Sequence, residues 1–179
     1  MLLVAADAAL LVAATDDPAA LARALGCEVA EGWAVFPDAL RATRDAVAAD
    51  PEATRWGARL FVLAEPRTLV GWGGFKGPPR DGVVELGYAI APPLQGSGLA
   101  TAAVGARLRE ALATQDVRGV IAHTLAEPGA SVRVLEKAGF ALEAELPDDE
   151  LGATWRFRLD RSRARRARRP PGGPHRVAD

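Results

Sequence analysis

Apolar residues at the start of the chain follow a strand-like run and then helical spacing. The N-terminal segment MLLVAADAALLVAAT predicts a short strand followed by the start of a helix. Residues 16–25 predict a helix, because acidic residues and a proline lie at its start and Gly26 follows its last apolar position. Residues 37–50 predict another helix, with Leu40 and Val47 available for a buried face.

The pattern changes from Arg59 onward to β-branched and aromatic runs. RLFVLAE and TLVGWGGFK are separated by a turn at Pro66 and Arg67, which predicts a hairpin. After the break GPPRDG, residues 83–91 form a third run of this kind. These segments together predict an antiparallel meander of three strands.

Helical and strand patterns alternate in the remainder of the chain. Residues 98–114 predict a helix whose buried stripe is formed by Val104, Leu108, Ala111 and Leu112. RGVIAHTL then predicts a buried strand and ASVRVLEKAGF a short helix ended by Gly139. One or two closing strands follow, of which ATWRFRLD is the last. The predicted fold class is therefore α/β (α+β), a mixed sheet with helices on both faces.

Composition limits the range of possible proteins. A chain of 179 residues that is 49% hydrophobic and 25% charged is typical of one soluble globular domain. The single cysteine, Cys27, excludes an internal disulfide framework and a multi-cysteine zinc site, so no metal is predicted. The predicted organisation is one domain over residues 1–160 and a basic, disordered tail over residues 161–179.

Charge is distributed unevenly between these two parts. The tail has seven arginines and one aspartate, so the domain has a charge of −7 when the total is −1. A basic tail could bind nucleic acid, but an unstructured solvated extension is the favoured interpretation. The first basic residue is Arg23, and the apolar N-terminal run is shorter than a membrane span. A cytoplasmic protein with no membrane partner is therefore expected.

The segment PPLQGSGLAT has the chemistry of an anion-binding loop. Gly96 and Gly98 allow close approach of the backbone, and the helix that follows contributes its unpaired amides and its dipole. The spacing matches neither a P-loop, which needs a lysine, nor a dinucleotide fingerprint, because Thr101 stands at its last position. On glycine content alone, a simple turn and a phosphate site remain equally open.

The neighbourhood of this loop resembles the GNAT superfamily of N-acetyltransferases. IAPPLQGSGLAT is similar to the family signature [RQ]-x-x-G-x-[GA], here at Gln95, Gly98 and Ala100. VELGYAI before the loop and SVRVLEKAGF after it resemble the branch of the ribosomal-protein N-terminal acetyltransferases. The resemblance implies a GNAT-like, mostly antiparallel sheet with a V-shaped splay between the fourth and fifth predicted strands.

The resemblance also implies acetyl-CoA as cofactor. The pyrophosphate is expected on the backbone of the loop, and the pantetheine arm beside the strand that precedes it. The cofactor-binding residues so implied are Gln95, Gly96, Ser97, Gly98, Leu99, Ala100 and Thr101 in the loop, with Tyr88, Ala89 and Ile90 in the strand.

Acetyl transfer to an amine needs a neutral nucleophile and favours a proton for the leaving thiolate. Glu85 is the leading general base, and its position resembles that of a glutamate in this branch. His123 is the other candidate, since imidazole titrates near neutral pH. The tyrosine of the family pattern L-Y-x-K-x-G-F is absent, and the resemblance offers Ser131 as the substitute proton donor.

Acceptor recognition is the least constrained part of the site. An aromatic groove could be formed by Trp33, Trp72, Phe75 and Tyr88. The negative charge of the domain favours a cationic amine as acceptor, either a peptide N-terminus or a small molecule. The expected oligomeric state is a monomer or a homodimer. Pro128 replaces the asparagine of the branch pattern E-N-x-x-S. A non-catalytic module that binds CoA or a metabolite, and a nucleic-acid-associated factor, therefore remain the alternatives.

Overall fold

The computed structural model describes residues 1–167, which form eight strands and seven helices. The strands are β1 (Leu2–Ala5), β2 (Glu28–Val29), β3 (Ala58–Ala64), β4 (Arg67–Phe75), β5 (Val83–Ile90), β6 (Gly119–Leu125), β7 (Ala141–Asp148) and β8 (Gly152–Asp160). The helices are α1 (Ala8–Asp16), α2 (Pro18–Leu25), α3 (Pro37–Ala49), α4 (Ala53–Trp56), α5 (Leu99–Ala113), α6 (Ala130–Lys137) and α7 (Arg161–Ala167). The predicted order of elements is confirmed, with β2, α4 and α7 as additions.

The strands form one mixed sheet in the order β1-β3-β4-β5-β6-β8-β7. Neighbouring strands along this order are antiparallel except β5 and β6, which run parallel. The two-residue strand β2 pairs in parallel with the start of β4. The predicted hairpin and meander correspond to β3, β4 and β5.

β5 and β6 separate after a short paired segment. Their ladder covers only residues 83–85 of β5 against residues 119–121 of β6. Beyond it, β5 continues beside β4, and β6 continues beside β8. The gap between residues 86–90 and residues 122–125, here called the wedge, confirms the predicted splay.

Helices cover both faces of the sheet, as predicted. Leu60 and Val62 of β3 pack in a cluster with α1, α2 and α3, including Leu11 and Leu40. Phe61, the residue between them, instead packs with Ala103 of α5. Because successive side chains of a strand point to opposite faces, these helices lie on opposite sides of the sheet.

A buried arginine interrupts the apolar stripe predicted for α5. Arg107 is only 1% exposed, pairs with Glu110, and lies 4.5 Å from the ring centre of Phe75. It also donates to the Trp56 carbonyl at 3.2 Å. Burial lowers the pKa of Arg107, and the charge of Arg59 lowers it further, whereas Glu110 raises it. The guanidinium thus links α5 to the end of α4.

Replacing Arg107 with alanine is expected to reduce the free energy of unfolding by about 3 kcal/mol. The change removes buried packing and leaves the Trp56 carbonyl without this donor. The matched control is Arg109→Ala on the exposed face of the same helix, expected to change stability by under about 0.5 kcal/mol. Urea unfolding measures both variants, and equal losses would contradict the structural role of Arg107.

Two glycine-to-alanine changes are expected to have opposite effects. A Cβ on Gly73 would lie 2.6 Å from the Gly87 carbonyl oxygen and 2.8 Å from Tyr88 Cα, so β4 or β5 must shift. A Cβ on Gly105, inside α5, would meet only the flexible end of Arg109 at 3.7 Å. We expect Gly105→Ala to stabilise by up to about 1 kcal/mol and Gly73→Ala to destabilise, as thermal unfolding can measure.

The C-terminal segment begins with a helix that is anchored to the domain. Arg161 donates from its side chain to the carbonyls of Thr114 and Val117, and its backbone N–H donates to the Arg118 carbonyl at 2.9 Å. Residues 161–167 form α7. The expectation of disorder from residue 161 is therefore wrong for these seven residues, because Arg161 anchors them. Residues 168–179 of the predicted tail lie outside the described residues.

Candidate functional site

The glycine loop is fixed to the end of β5 by its own side chains. Gln95 Nε2 donates to the Ile90 carbonyl at 3.0 Å, and Ser97 Oγ donates to the Leu94 carbonyl. These side chains therefore hold the loop conformation. With the polar groups of Gln95 and Ser97 engaged, the backbone amides of the loop are left to face a ligand.

The loop leaves an open cradle at the N-terminus of α5. Gly96 and Gly98 have φ values of +76° and +84°, and a Cβ on either would have no heavy atom within 4 Å. No side chain caps the helix at Gly98, so its first-turn amides lack that acceptor. Free amides, the helix dipole and open space fit a pyrophosphate. The residues present thus suit the cofactor expected from the sequence.

Alternation along β5 determines which backbone groups face the wedge. The Glu85 carbonyl accepts from Lys76 N–H, and Ala91 N–H donates to the Val70 carbonyl. Odd-numbered residues between them therefore direct their peptide groups to β4, and even-numbered residues direct theirs to the wedge. The peptide groups of Tyr88 can pair with an extended ligand there, whereas the Ile90 carbonyl already accepts from Gln95. The predicted contact at Ala89 is limited to its side chain, because its peptide groups face β4.

Tyr88 also places its side chain beside the first turn of α6. Its hydroxyl donates to the Ser131 carbonyl at 3.3 Å. Burial raises the pKa of Tyr88 to about 12, although the contact with Ser131 lowers it. Tyr88 is therefore a neutral phenol over the physiological pH range. Ser131, the predicted proton donor, is exposed on this turn.

The two candidate bases, which the sequence left as alternatives, lie in contact. His123 Nδ1 is 2.9 Å from Glu85 Oε1. Glu85 is the last residue of β5 paired with β6, and His123 lies two positions beyond the end of that ladder. The pair therefore stands at the closed end of the wedge. Lys76 Nζ contacts the same Glu85 oxygen at 2.5 Å.

The contacts of Glu85 determine its charge. Burial raises the pKa of Glu85, but the contacts with Lys76 and His123 together lower that pKa by more. The net pKa lies below the usual value, so the carboxylate is ionised at neutral pH. An ionised carboxylate only accepts, so Nδ1 of His123 must be the donor. In the neutral form of the ring, Nε2 is then the atom with the free lone pair.

Three of the four residues predicted for an aromatic groove are core residues. Trp33 is 5% exposed and packs in the cluster under α1, α2 and α3, and Trp72 Nε1 donates to the Val35 carbonyl at 2.8 Å. Phe75 packs edge-on against Trp56, with ring centres 6.0 Å apart. The groove assignment is wrong for these residues because both faces of β4 are covered. Tyr88 alone reaches the wedge.

Sequence reasoning missed Lys76 and the charged neighbours of the pair. Arg156 of β8 is the cross-strand partner of His123, and Arg158 is the partner of Ile121. Arg156 pairs with Glu143 at 2.7 Å. The hairpin pairing of β4 with β5 could have indicated Lys76, because continuing that register places it opposite Glu85.

Comparison with known proteins establishes the family. The family model described as an acetyltransferase (GNAT) domain matches residues 2–141. The chain belongs to the GNAT acetyltransferase family. No curated protein matches it significantly. GNAT acetyltransferases use acetyl-CoA, and membership supports acetyl transfer to amines in general.

Solved structures show that this GNAT chain shares its fold with distant relatives. A structure of mutant forms of the spermidine/spermine N-acetyltransferase SpeG from Vibrio cholerae is 16% identical, with a TM-score of 0.62, over 73% of this chain and 81% of that one. A GNAT-family acetyltransferase from Bacillus anthracis is 22% identical, with a TM-score of 0.56, over 69% and 75%. Mycobacterium smegmatis RimJ, in complex with CoA-disulfide, is 19% identical, with a TM-score of 0.58, over 69% and 62%.

Residues 1–167 of this GNAT chain lack two further kinds of feature. No helix there combines the length and apolar character needed to cross a membrane. No group of three or more histidine, cysteine, aspartate or glutamate side chains in that range could hold a metal ion.

Proposed function

We propose that the protein is an acetyl-CoA-dependent N-acetyltransferase that acts on a primary amine by direct attack. The observation that carries this proposal is the Glu85–His123 contact of 2.9 Å at the closed end of the wedge. A hydrogen-bonded carboxylate and imidazole form a proton-accepting pair. Its carboxylate, Glu85, lies on β5, the strand that leads into the open glycine cradle.

Cofactor binding is assigned to backbone groups. The amides of residues 95–101 would hold the pyrophosphate at the N-terminus of α5, with Gly96 and Gly98 leaving room for it. The wedge-facing peptide groups of Tyr88 would pair with the extended arm of the cofactor. The bound cofactor supplies the activated acetyl group.

In this proposal His123 is the general base and Glu85 orients it. The acceptor arrives as an ammonium at neutral pH and must lose a proton before its nitrogen can attack. Nε2 of His123 is the atom that accepts this proton, because Nδ1 is held by Glu85. An α-amine is deprotonated more readily than a lysine side chain, because its ordinary pKa is lower by about 2.

Ser131 is proposed as the proton source for the leaving thiolate. It stands in the first turn of α6, where Tyr88 reaches its carbonyl across the wedge. The neutral phenol of Tyr88 keeps this side of the site free of negative charge, which favours departure of a thiolate. Ser131→Ala is the variant that addresses this role.

The proposed acceptor is a peptide N-terminus or a small-molecule amine. The solved structures with this fold include spermidine N-acetyltransferases and RimJ. We place the chain in the branch that resembles the ribosomal-protein N-terminal acetyltransferases, on the motifs VELGYAI and SVRVLEKAGF. A cytoplasmic monomer or homodimer, with no membrane or nucleic-acid partner, completes the proposal.

A CoA- or metabolite-binding module without catalysis is the second candidate. Pro128 favours it, because the residue after it, Gly129, begins α6 with no side-chain cap where the branch pattern would supply polar groups nearby. A reduced set of side-chain contacts to the cofactor is expected from this change.

Thiol release from acetyl-CoA over a panel of amines separates the two candidates. The panel comprises peptides with free N-termini, polyamines and aminoglycosides. Amine-dependent thiol release supports the acetyltransferase. Thermal stabilisation by acetyl-CoA, with no thiol released in the presence of any of these amines, would favour the binding module. Absence of both stabilisation and release would contradict both.

A further inference from the structure

Lys76 already places an amine on the carboxylate of the proposed proton-accepting pair. Its Nζ lies 2.5 Å from Glu85 Oε1, the same oxygen that receives Nδ1 of His123. The backbone N–H of Lys76 donates to the Glu85 carbonyl at 2.9 Å, which fixes the base of the side chain opposite Glu85. The Lys76 side chain is 66% exposed, so its flexible stem is free to move.

Any external acceptor must bring its own ammonium to this pair. Glu85 is the carboxylate of the pair, and Lys76 and His123 both contact one of its oxygens. Arg156 and Arg158 lie on the adjacent strand β8 and are paired with Glu143 and Asp160. Of the two lysines of the chain, Lys76 is the one that contacts the pair, and its amine lies on the same Glu85 oxygen that holds the imidazole of His123.

We propose that Lys76 is a self-acetylation site, modified by the protein's own acetyl-transfer site. The inference rests on the proposed function and adds to it a covalent modification of the protein itself. It follows from the position of the Lys76 amine on Glu85 beside His123, at the end of the wedge where acetyl transfer is proposed.

Acetylation of Lys76 needs only the Glu85–His123 pair, the Lys76 amine and the thioester. The Lys76 ammonium gives one proton to the Glu85–His123 pair, and the neutral Nζ attacks the thioester carbonyl carbon. A C–N bond forms and the C–S bond breaks, so that the products are an amide on Lys76 and a thiolate. The attacking nitrogen loses its second proton as the amide forms, the thiolate takes up one proton to become the thiol, and the pair returns the first proton to solvent. No oxidant or further reactant is needed.

Acetylation would change the site that performs it. The modified Lys76 has no positive charge, so the ion pair with Glu85 is lost. The side chain also becomes longer beside the same carboxylate. Self-acetylation is therefore expected to reduce turnover of external amines once each site has transferred one acetyl group to its own Lys76.

The chain provides its own internal standard, because Lys76 and Lys137 are its only lysines. Lys137 is exposed in the last turn of α6. The experiment incubates the purified full chain with acetyl-CoA and no amine, and measures acetylation of each lysine by peptide mass spectrometry. We expect Lys76 to be acetylated at least about 10-fold faster than Lys137, because the attacking amine is held at the site.

A chemical reagent gives a readout that does not depend on catalysis. Acetic anhydride, applied to the protein without acetyl-CoA, measures the ordinary reactivity of the two lysines. We expect Lys76 to be no more reactive than Lys137, because its amine is held in an ion pair. A preference for Lys76 with acetyl-CoA alone then supports self-acetylation. The same preference with both reagents would show ordinary reactivity and overturn the proposal.

Three variants test the assignment of the residue and the pair. Lys76→Arg keeps a cation beside Glu85 and should abolish the fast modification, whereas Lys137→Arg should leave it intact. His123→Gln should slow acetylation of Lys76 at least about 10-fold without changing that of Lys137. Circular dichroism confirms that each variant is folded. Fast modification that persists elsewhere in Lys76→Arg would overturn the proposal.

The outcome separates this inference from the proposed function. If external amines are acetylated while Lys76 is modified no faster than Lys137, self-acetylation is wrong and the proposed function stands. If acetyl-CoA neither stabilises the protein nor releases thiol with any amine, both are wrong. Isothermal titration with CoA, which has no acetyl group to transfer, shows whether the cradle is functional in either case.

Discussion

Replacing Gly98 with aspartate is expected to weaken acetyl-CoA binding by about 100-fold, or roughly 2.7 kcal/mol. The new carboxylate would project from the loop into the open space above the first-turn amides, where a Cβ meets no other atom within 4 Å. It would compete with the pyrophosphate for those amides and repel its charge. Isothermal titration with CoA measures the affinity directly.

Gly26 offers a control that separates charge in the cradle from backbone strain. Gly26 follows α2, has a φ of +57°, and likewise has no heavy atom within 4 Å of an added Cβ. Gly26→Asp therefore carries a similar cost of positive φ, and aspartate tolerates this conformation better than most residues. We expect this variant to bind CoA normally. Unchanged affinity in Gly98→Asp would remove the cradle as the cofactor site.

Replacing His123 with glutamine is expected to lower kcat by about 10² to 10⁴, the usual contribution of a general base. Glutamine retains a hydrogen-bonding side chain but has no atom that accepts a proton at neutral pH. The KM for acetyl-CoA should change little, because cofactor contacts are assigned to the loop. Steady-state kinetics by thiol release, after the active amine is found, gives both parameters.

Glu85→Gln distinguishes the base from the residue that orients it. Loss of the carboxylate leaves the imidazole in place, so we expect a smaller decrease in kcat, about 10-fold, as for a positioning residue. His175→Gln is the matched control for histidine replacement, because the chain has two histidines. A larger loss in Glu85→Gln than in His123→Gln would make Glu85 the base and His123 its partner.

Local signals were sufficient for most of the fold. Asp17 and Gly26 mark the two ends of α2, and the Asp17 side chain caps Ala19 and Ala20 as the composition of that helix start implies. The sequence could not indicate β2, because two residues have no readable period. It could not indicate α4 either, since four residues held by Arg59 and Arg107 depend on tertiary contacts.

The candidate site was predictable only where consecutive residues form it. The cradle is local, so the spacing of Gly96 and Gly98 in QGSGLAT located it. Glu85 and His123 are separated by 38 positions, and only the pairing of β5 with β6 brings them together. The prediction of an aromatic groove was wrong for Trp72 and Phe75. Aromatic residues in a strand give the same sequence pattern whether one face or both faces of the strand are covered.

The anchor formed by Arg161 determines where the basic segment can be cut. Its side chain satisfies carbonyls at the end of α5 and just beyond it, so removing residues 161–179 would also disturb the helix that carries the glycine cradle at its other end. Such a truncation would lose activity because α5 is disturbed, and this loss would be mistaken for the loss of a nucleic-acid contact. A chain ended after Ala167 removes three of the seven arginines of this segment while sparing the anchor, and is the proper test of the tail.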